Sequence, residues 1–200
     1  SLEVLSIQSV YYRVKENANV EFVQVDLGGR ENYVSYIGDL VDNNSNVNVN
    51  SIYFGKNEQK LDFNYVATQR GRATNYDLAI KGALADRAQK TCKVTIDFKR
   101  GSSTSKGSEE EYVTLLSDDI KNVAVPILLC TEDDVEGIHA ASAGKIDENI
   151  LFYIMSRGFS ESEAKRLILE SKFAETIDLI ENEEIRKRVY TTLSKKLSEV

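Results

Sequence analysis

Alternation of apolar and polar residues runs through the first two-thirds of the chain, and this pattern constrains the fold more than any other feature. A period of two places apolar side chains on one face of a β-strand and polar ones on the other. The alternation is clearest at residues 20–25, 47–54, 61–65 and 92–98. Clusters of Gly, Asn, Asp and Ser, typical of turns, separate these segments at residues 27–30, 42–46, 55–57 and 101–105. The sequence therefore predicts a mainly β protein built from many short strands.

The arrangement of those strands is left open by the pattern alone. Short strands without helices between them form sandwiches, barrels or β-solenoids. No strict repeat period is visible, which disfavours a regular solenoid. The asparagine-rich residues 43–50 instead favour stacked coils, because side-chain amides pair from one coil to the next.

The last third changes to a helical period. Asp147 is placed to cap a helix that runs to about Arg157, and Gly158 suits the left-handed residue that follows a helix end. Ser160 and Glu163 form the capping box of a second helix, and a third is predicted over residues 183–197. We therefore divide the chain into a β core at residues 1–138 and a helical subdomain at residues 139–200.

Charge and cysteine content narrow the possible partners and location. A formal net charge of −7 argues against nucleic acid, which needs a basic surface. The basic segment at residues 90–106, flanked by glutamates at 109–111, is interpreted as a solvated sheet face and loop. Two cysteines are too few for a disulfide framework, and neither a secretion signal nor a membrane span is visible. The reducing cytoplasm is the expected location.

Three side chains have groups that can bind iron or sulfur, and two of them are candidates for such a role. His139 is the only histidine, and a neutral imidazole is a borderline ligand that suits iron. The alternative is a histidine that only forms a hydrogen bond at the junction of core and helices. Cys130 has a thiol that can bind iron or sulfur, although its place after three large aliphatic residues favours a buried position. Cys92 alternates with Val94 and Ile96 and is predicted to lie in the core.

A set of short motifs at fixed spacing surrounds His139. The chain resembles the SufB/SufD family of iron–sulfur cluster assembly scaffolds, and within it the SufD branch. The residues that carry the resemblance are Glu132-Asp133-Asp134-Val135-Glu136-Gly137, His139, Gly144-Lys145-Ile146-Asp147, Leu151-Phe152-Tyr153, Ser156-Arg157-Gly158 and Glu163-Ala164.

The resemblance implies a fold and a role. It favours an irregular right-handed β-helix core, shortened at its N-terminus relative to the family, followed by the helical subdomain. It implies a scaffold rather than an enzyme, which pairs through its final strands with a SufB-like subunit, or with itself in the absence of that subunit. The C-terminal helices would dock a SufC-like ATPase of the ABC type, with Phe152, Tyr153 and Phe159 as candidate anchors. For any one of these three aromatic residues, however, we expect burial inside the subdomain.

By the same resemblance, His139 is a candidate iron ligand of a transient iron–sulfur cluster at the partner interface, with Cys130 as a weaker candidate. No cofactor is expected in the isolated chain. No thiol stands at residues 110–113, where SufB carries a cysteine, and Ala140 replaces the glutamate that follows the histidine in SufB. Both differences favour SufD. Because SufD chains are longer than two hundred residues, this sequence is either an excised piece or a short paralogue.

Two other functions remain open. One is a carbohydrate-active β-helix enzyme, which would use a pair of carboxylates on one sheet face. The absence of tryptophan and of a secretion signal counts against it. The other is a structural adaptor in which His139 is dispensable.

Overall fold

The computed structural model describes residues 4–199 and places ten strands in two parallel sheets. Odd-numbered strands form one sheet in the order β1-β3-β5-β7-β9, and even-numbered strands form the other in the order β10-β8-β6-β4-β2. The chain therefore crosses from sheet to sheet at every turn and winds into a parallel β-solenoid of about five coils, as predicted. The strands are β1 (Leu5–Val14), β2 (Asn19–Asp26), β3 (Glu31–Leu40), β4 (Asn46–Gly55), β5 (Lys60–Gln69), β6 (Asn75–Leu84), β7 (Gln89–Phe98), β8 (Ser105–Leu115), β9 (Lys121–Cys130) and β10 (Val135–Gly144).

The coils differ in length, which explains why no strict repeat is visible in the sequence. Glu31, Lys60 and Gln89 pair in register, so two successive coils are 29 residues long. The first coil, from Leu5 to Glu31, is 26 residues long, and the last, from Gln89 to Lys121, is 32. A sequence search for one fixed period therefore finds none.

Stacked turns hold one side of the solenoid together. Asn17, Asn44, Ala73 and Thr104 occupy equivalent turns and have φ values between 53° and 62°. The backbone N–H of each donates to a carbonyl of the next coil, at 2.6–3.1 Å. The Asn44 side chain also donates to Asn17 Oδ1 at 3.1 Å, so the predicted pairing of amides between coils is confirmed. Asparagine suits these turns because it tolerates the left-handed region better than most residues do.

The apolar core fills the space between the two sheets. Tyr53, Phe63 and Tyr65 are completely buried there, and the Tyr53 and Phe63 rings lie 5.1 Å apart. A second apolar cluster lies outside the solenoid, where Ile52 and Phe54 on the outer face of β4 pack against helical residues such as Phe173. The helical tail is thus anchored to the even-numbered sheet.

Three helices follow the last strand: α1 (Glu148–Met155), α2 (Glu161–Asp178) and α3 (Glu183–Leu197). The predicted caps are confirmed, since Asp147 accepts hydrogen bonds from the first turn of α1 and Ser160 and Glu163 form a reciprocal capping box. Strand β10 continues through residues 138 and 139 to Gly144, so His139 lies inside a strand. Within residues 4–199, no helix combines the length and apolar character needed to cross a bilayer.

Candidate functional site at the last coil

His139 lies in the middle of β10, the edge strand of its sheet, and faces the interior of the last coil. It pairs in register with Glu109 of β8, whose side chain is only 2% exposed. Partners in a parallel ladder point their side chains the same way. The imidazole therefore sits directly above the Glu109 carboxylate, with 19% of the side chain exposed at the open end of the solenoid.

The two ring nitrogens of His139 have different surroundings. Nδ1 lies 2.6 Å from Oε2 of Glu109, at hydrogen-bond distance. Nε2 is buried and has no hydrogen-bond partner. Burial raises the pKa of the Glu109 carboxyl above its ordinary value, and the hydrogen bond with His139 opposes that rise. A buried nitrogen without a partner calls for an explanation, because it costs about 1–3 kcal/mol.

A buried ion pair lies beside this contact. Lys90 Nζ is 2.5 Å from Oε1 of Glu111, and both side chains are at most 1% exposed. Glu111 raises the pKa of Glu109, whereas Lys90 lowers it. Our interpretation of this basic and acidic region as a wholly solvated surface was wrong for Lys90, Glu109 and Glu111, since every second residue of β7 and β8 faces the interior.

The two cysteines occupy different environments. Cys92 is 1% exposed and belongs to the core, as predicted, and burial raises the pKa of its thiol well above its ordinary value. Cys130 ends β9 and is exposed, so the expectation of a buried position was wrong. It lies in the last coil, where no further coil covers the chain among the described residues.

The structure does not bring Cys130 and His139 together. Cys130 precedes the turn between β9 and β10, whereas His139 lies four residues into β10. Four residues of strand correspond to about 13 Å. Within residues 4–199, no three His, Cys, Asp or Glu side chains are grouped closely enough to hold a metal ion.

The aromatic candidates on the helical tail are exposed rather than buried. Phe152 is 75% exposed, Tyr153 57% and Phe159 43%, and no residue of α1 is buried. Arg157 lies over the Tyr153 ring at 5.0 Å and donates a hydrogen bond to its hydroxyl at 2.8 Å. The expectation that these residues are buried inside the subdomain was therefore wrong for all three. These three exposed aromatic residues are together called the α1 surface below.

Sequence reasoning missed Glu109, the direct partner of His139. Glu109 belongs to a run of three glutamates, which normally marks a solvated segment. The available signal was the alternation Gly107, Glu109, Glu111, Val113, which continues the inward face of β8. The 30-residue offset between Glu109 and His139 also matches the coil length, but only a known register makes that offset meaningful.

Two parallel sheets wound into a solenoid, with a polar contact inside an exposed last coil, define this chain as a β-solenoid domain with a candidate site at one end. Comparison with known proteins makes the class specific. Residues 1–172 match the family model described as SUF system FeS cluster assembly, SufBD core domain. The chain belongs to this SufBD family.

Individual relatives agree with the family match. The chain is 30% identical over 147 residues to the iron–sulfur cluster assembly protein SufD of Bacillus subtilis, an alignment that covers 74% of this chain and 34% of the relative. It is 30% identical over 165 residues to a SufBD family protein of Pyrococcus horikoshii, covering 79% and 35%. A Mycobacterium bovis family member is 26% identical over 203 residues, covering 98% and 51%. The chain thus spans between a third and a half of the length of these relatives.

Proposed function

We propose that this chain is a SufD-like scaffold subunit of the SUF iron–sulfur cluster assembly complex and is not itself an enzyme. The observation that carries the proposal is the position of His139. It lies on an edge strand of the last coil, with one ring nitrogen bound to Glu109 and the other without a partner. The SufBD family match and the SufD relative support the assignment to cluster assembly.

The exposed edges of β9 and β10 favour pairing with a SufB-like subunit, or with a second copy where that subunit is absent. Each strand has a neighbour on one side only. An edge strand offers unpaired N–H and C=O groups to another chain. Leu128, Leu129 and Ile138 are between 40% and 48% exposed on these strands and would be covered by a partner.

The α1 surface favours docking of a SufC-like ATPase. Aromatic side chains that fill a pocket on a partner contribute most to binding at protein interfaces. Phe152, Tyr153 and Phe159 are large, exposed and carried by one helix and the residues just after it. None of the three belongs to the buried cluster through which α2 and α3 pack on the solenoid, so that packing does not depend on them.

The SufD-like assignment is supported by the absence of two side chains that SufB carries, a cysteine and a glutamate. Residues 110–113 contain no thiol, and Ala140 follows His139. The chain would therefore supply a nitrogen ligand and leave sulfur acceptance to its partner. Cys130 remains a secondary candidate, exposed but distant from His139. The cluster is the product that the complex assembles, held transiently.

A reducing cytoplasmic setting completes the proposal. Both cysteines are free, as an intracellular protein would have them. In this setting Cys130 can remain a thiol while the complex is active.

Cluster reconstitution tests the proposal. The complex with its SufB-like and SufC-like partners is purified with wild-type chain, H139A or S142A, where Ser142 is a control on the same strand. We expect H139A to keep both partners but to lose most of the iron and sulfide per complex, and S142A to match the wild type. Unchanged cluster content in H139A would overturn the role of His139 and favour a structural adaptor.

A further inference from the structure

The contact between Glu109 and His139 determines which nitrogen of the imidazole ring has a free lone pair. Nδ1 lies 2.6 Å from a carboxylate oxygen, and an ionised carboxylate only accepts hydrogen bonds. A protonated Glu109 would donate to Nδ1 and leave Nε2 with a buried N–H that has no acceptor, so the geometry favours an ionised Glu109 with the proton of this contact on Nδ1. A neutral imidazole carries one proton, so Nε2 then has a free lone pair.

The surroundings of Nε2 favour the same state. Nε2 is buried and no acceptor lies within hydrogen-bond distance. Among buried backbone groups, an N–H without an acceptor is rarer than an under-satisfied carbonyl, and a buried ring N–H without an acceptor has the same kind of desolvation cost. An unprotonated Nε2 is therefore the less costly state, and an unprotonated nitrogen is the form that binds a metal.

We propose that Glu109 is a positioning residue that fixes His139 as its Nδ1–H tautomer and makes Nε2 the nitrogen that meets the cluster. This inference rests on the proposed role of His139. A carboxylate on the far side of a histidine ring orients the ring and raises its basicity as a ligand. Here the carboxylate comes from the preceding coil, so the register of β8 and β10 sets the geometry of the ligand.

The buried ion pair supports Glu109 in this position. Glu111 stands two residues away on the same inward face, and its charge would repel that of Glu109. Lys90 compensates the charge of Glu111 at 2.5 Å. Because Nε2 is covered in the isolated chain, cluster binding also requires a movement at the last coil, where β10 has a neighbour on one side only.

The single histidine makes the tautomer directly measurable. The chain labelled with ¹⁵N only in histidine gives one imidazole, observed at about pH 8.5, where an unperturbed ring is neutral. The wild type is compared with E109A, E109Q and E110Q, where Glu110 is the exposed neighbour on β8.

We expect the wild type and E110Q to show a pyrrole-type Nδ1 and a pyridine-type Nε2. In E109A the assignment should move toward the Nε2–H form that free imidazole prefers. E109Q should retain much of the wild-type pattern, because the glutamine carbonyl still accepts from Nδ1–H. A wild-type ring protonated on Nε2, or an E109A spectrum identical to wild type, would overturn the proposal.

Cluster loading of the complex separates this inference from the proposed function. We expect E109A to bind metal about 10–100-fold more weakly than wild type, with partner binding retained and E110Q unaffected. If H139A leaves loading intact, the proposed function fails whatever the tautomer. If H139A abolishes loading but E109A changes neither tautomer nor loading, only the role of Glu109 fails. E109M, which keeps the side-chain length but has no oxygen to accept from Nδ1–H, supplies the same comparison if E109A does not fold.

Discussion

At the scale of single residues, the buried Lys90–Glu111 ion pair is a contact in which replacing only one member strongly destabilises the fold. Both side chains are at most 1% exposed, so neither charge is solvated when its partner is removed. Breaking such a pair typically costs about 3–5 kcal/mol, whereas replacing both members by apolar residues is often neutral. The pair therefore adds little net stability, although the loss of one member alone is costly.

We expect K90M to lower the free energy of unfolding by about 3–5 kcal/mol, because it leaves Glu111 charged and buried. The double variant K90M/E111L should recover most of this loss. Urea denaturation at pH 7 measures the effect, and K93M is the matched control, since Lys93 is exposed on the same strand. Equal losses of unfolding free energy in K90M and K93M would show that the ion pair is accessible to water.

Asp26 is a buried carboxyl group whose ionisation lowers the stability of the folded chain as the pH rises. Burial raises its pKa from 3.8 to about 6, against a weaker lowering by the Gly28 N–H. The folded state therefore binds more protons than the unfolded state between these values. The stabilising contribution of the protonated side chain is present below pH 3.8 and is lost as the pH rises through 6.

We expect D26N to stabilise the chain at pH 8 by up to about 3 kcal/mol, the equivalent of a shift of about two pKa units, and to have little effect at pH 4. The quantity to measure is the difference in unfolding free energy between variant and wild type at each pH, in which most other carboxylates cancel. D62N, at an exposed position of β5, serves as control. A difference that is the same at both pH values would contradict the shift.

Residue-scale features were the hardest to predict from the sequence. His139 was found because it is the only histidine and lies among recognisable motifs. Glu109 and Lys90 were not, because charged residues are normally placed on the surface and their burial depends on a partner in another coil. Cys130 was misplaced for a related reason: its strand is apolar, but no coil covers it among the described residues.

At the scale of elements, α2 and α3 pack on the solenoid, whereas α1 has no buried residue. Phe173 of α2 is 1% exposed against the outer face of the even-numbered sheet, whereas Phe152 of α1 is 75% exposed. Helix ends were predicted well because capping depends on neighbouring residues only. Which helix covers the sheet depends on the outer face of β4, where Ile52 and Phe54 break the simple alternation.

We expect F173A to lower the free energy of unfolding by about 3–5 kcal/mol, and the double variant F152A/Y153A to change it by less than about 1 kcal/mol. F152A/Y153A should instead weaken binding of the SufC-like ATPase at least tenfold, as loss of aromatic anchors does. Urea denaturation and titration calorimetry measure the two effects. I185A, which removes an exposed apolar side chain of α3, is the control for binding. ATPase affinity unchanged by F152A/Y153A would exclude the α1 surface as the dock.

At the scale of the whole molecule, each coil contacts mainly its neighbours. Positions that pair in register in successive coils share apolar character but not always the same amino acid. One inward column runs Val34, Phe63, Cys92, Ala124, and another runs Tyr36, Tyr65, Val94, Pro126. Alternation within a strand is therefore visible in the sequence, but repetition between strands is not. The mainly β class followed from alternation, whereas the choice of a solenoid needed the family resemblance.

The open last coil predicts how the isolated chain associates. Leu128 pairs in register with the buried Ile96 and faces the interior of the last coil, yet it is 40% exposed. We expect the isolated chain to self-associate with rising concentration, and L128K to remain monomeric, because an inward-pointing charge blocks edge pairing. Sedimentation velocity over a range of concentrations measures this. I7K, which alters β1 at the opposite end of the solenoid, should associate like the wild type. If I7K rather than L128K abolishes association, the chain self-associates through its first coil, and pairing with a SufB-like subunit through β9 and β10 loses its support.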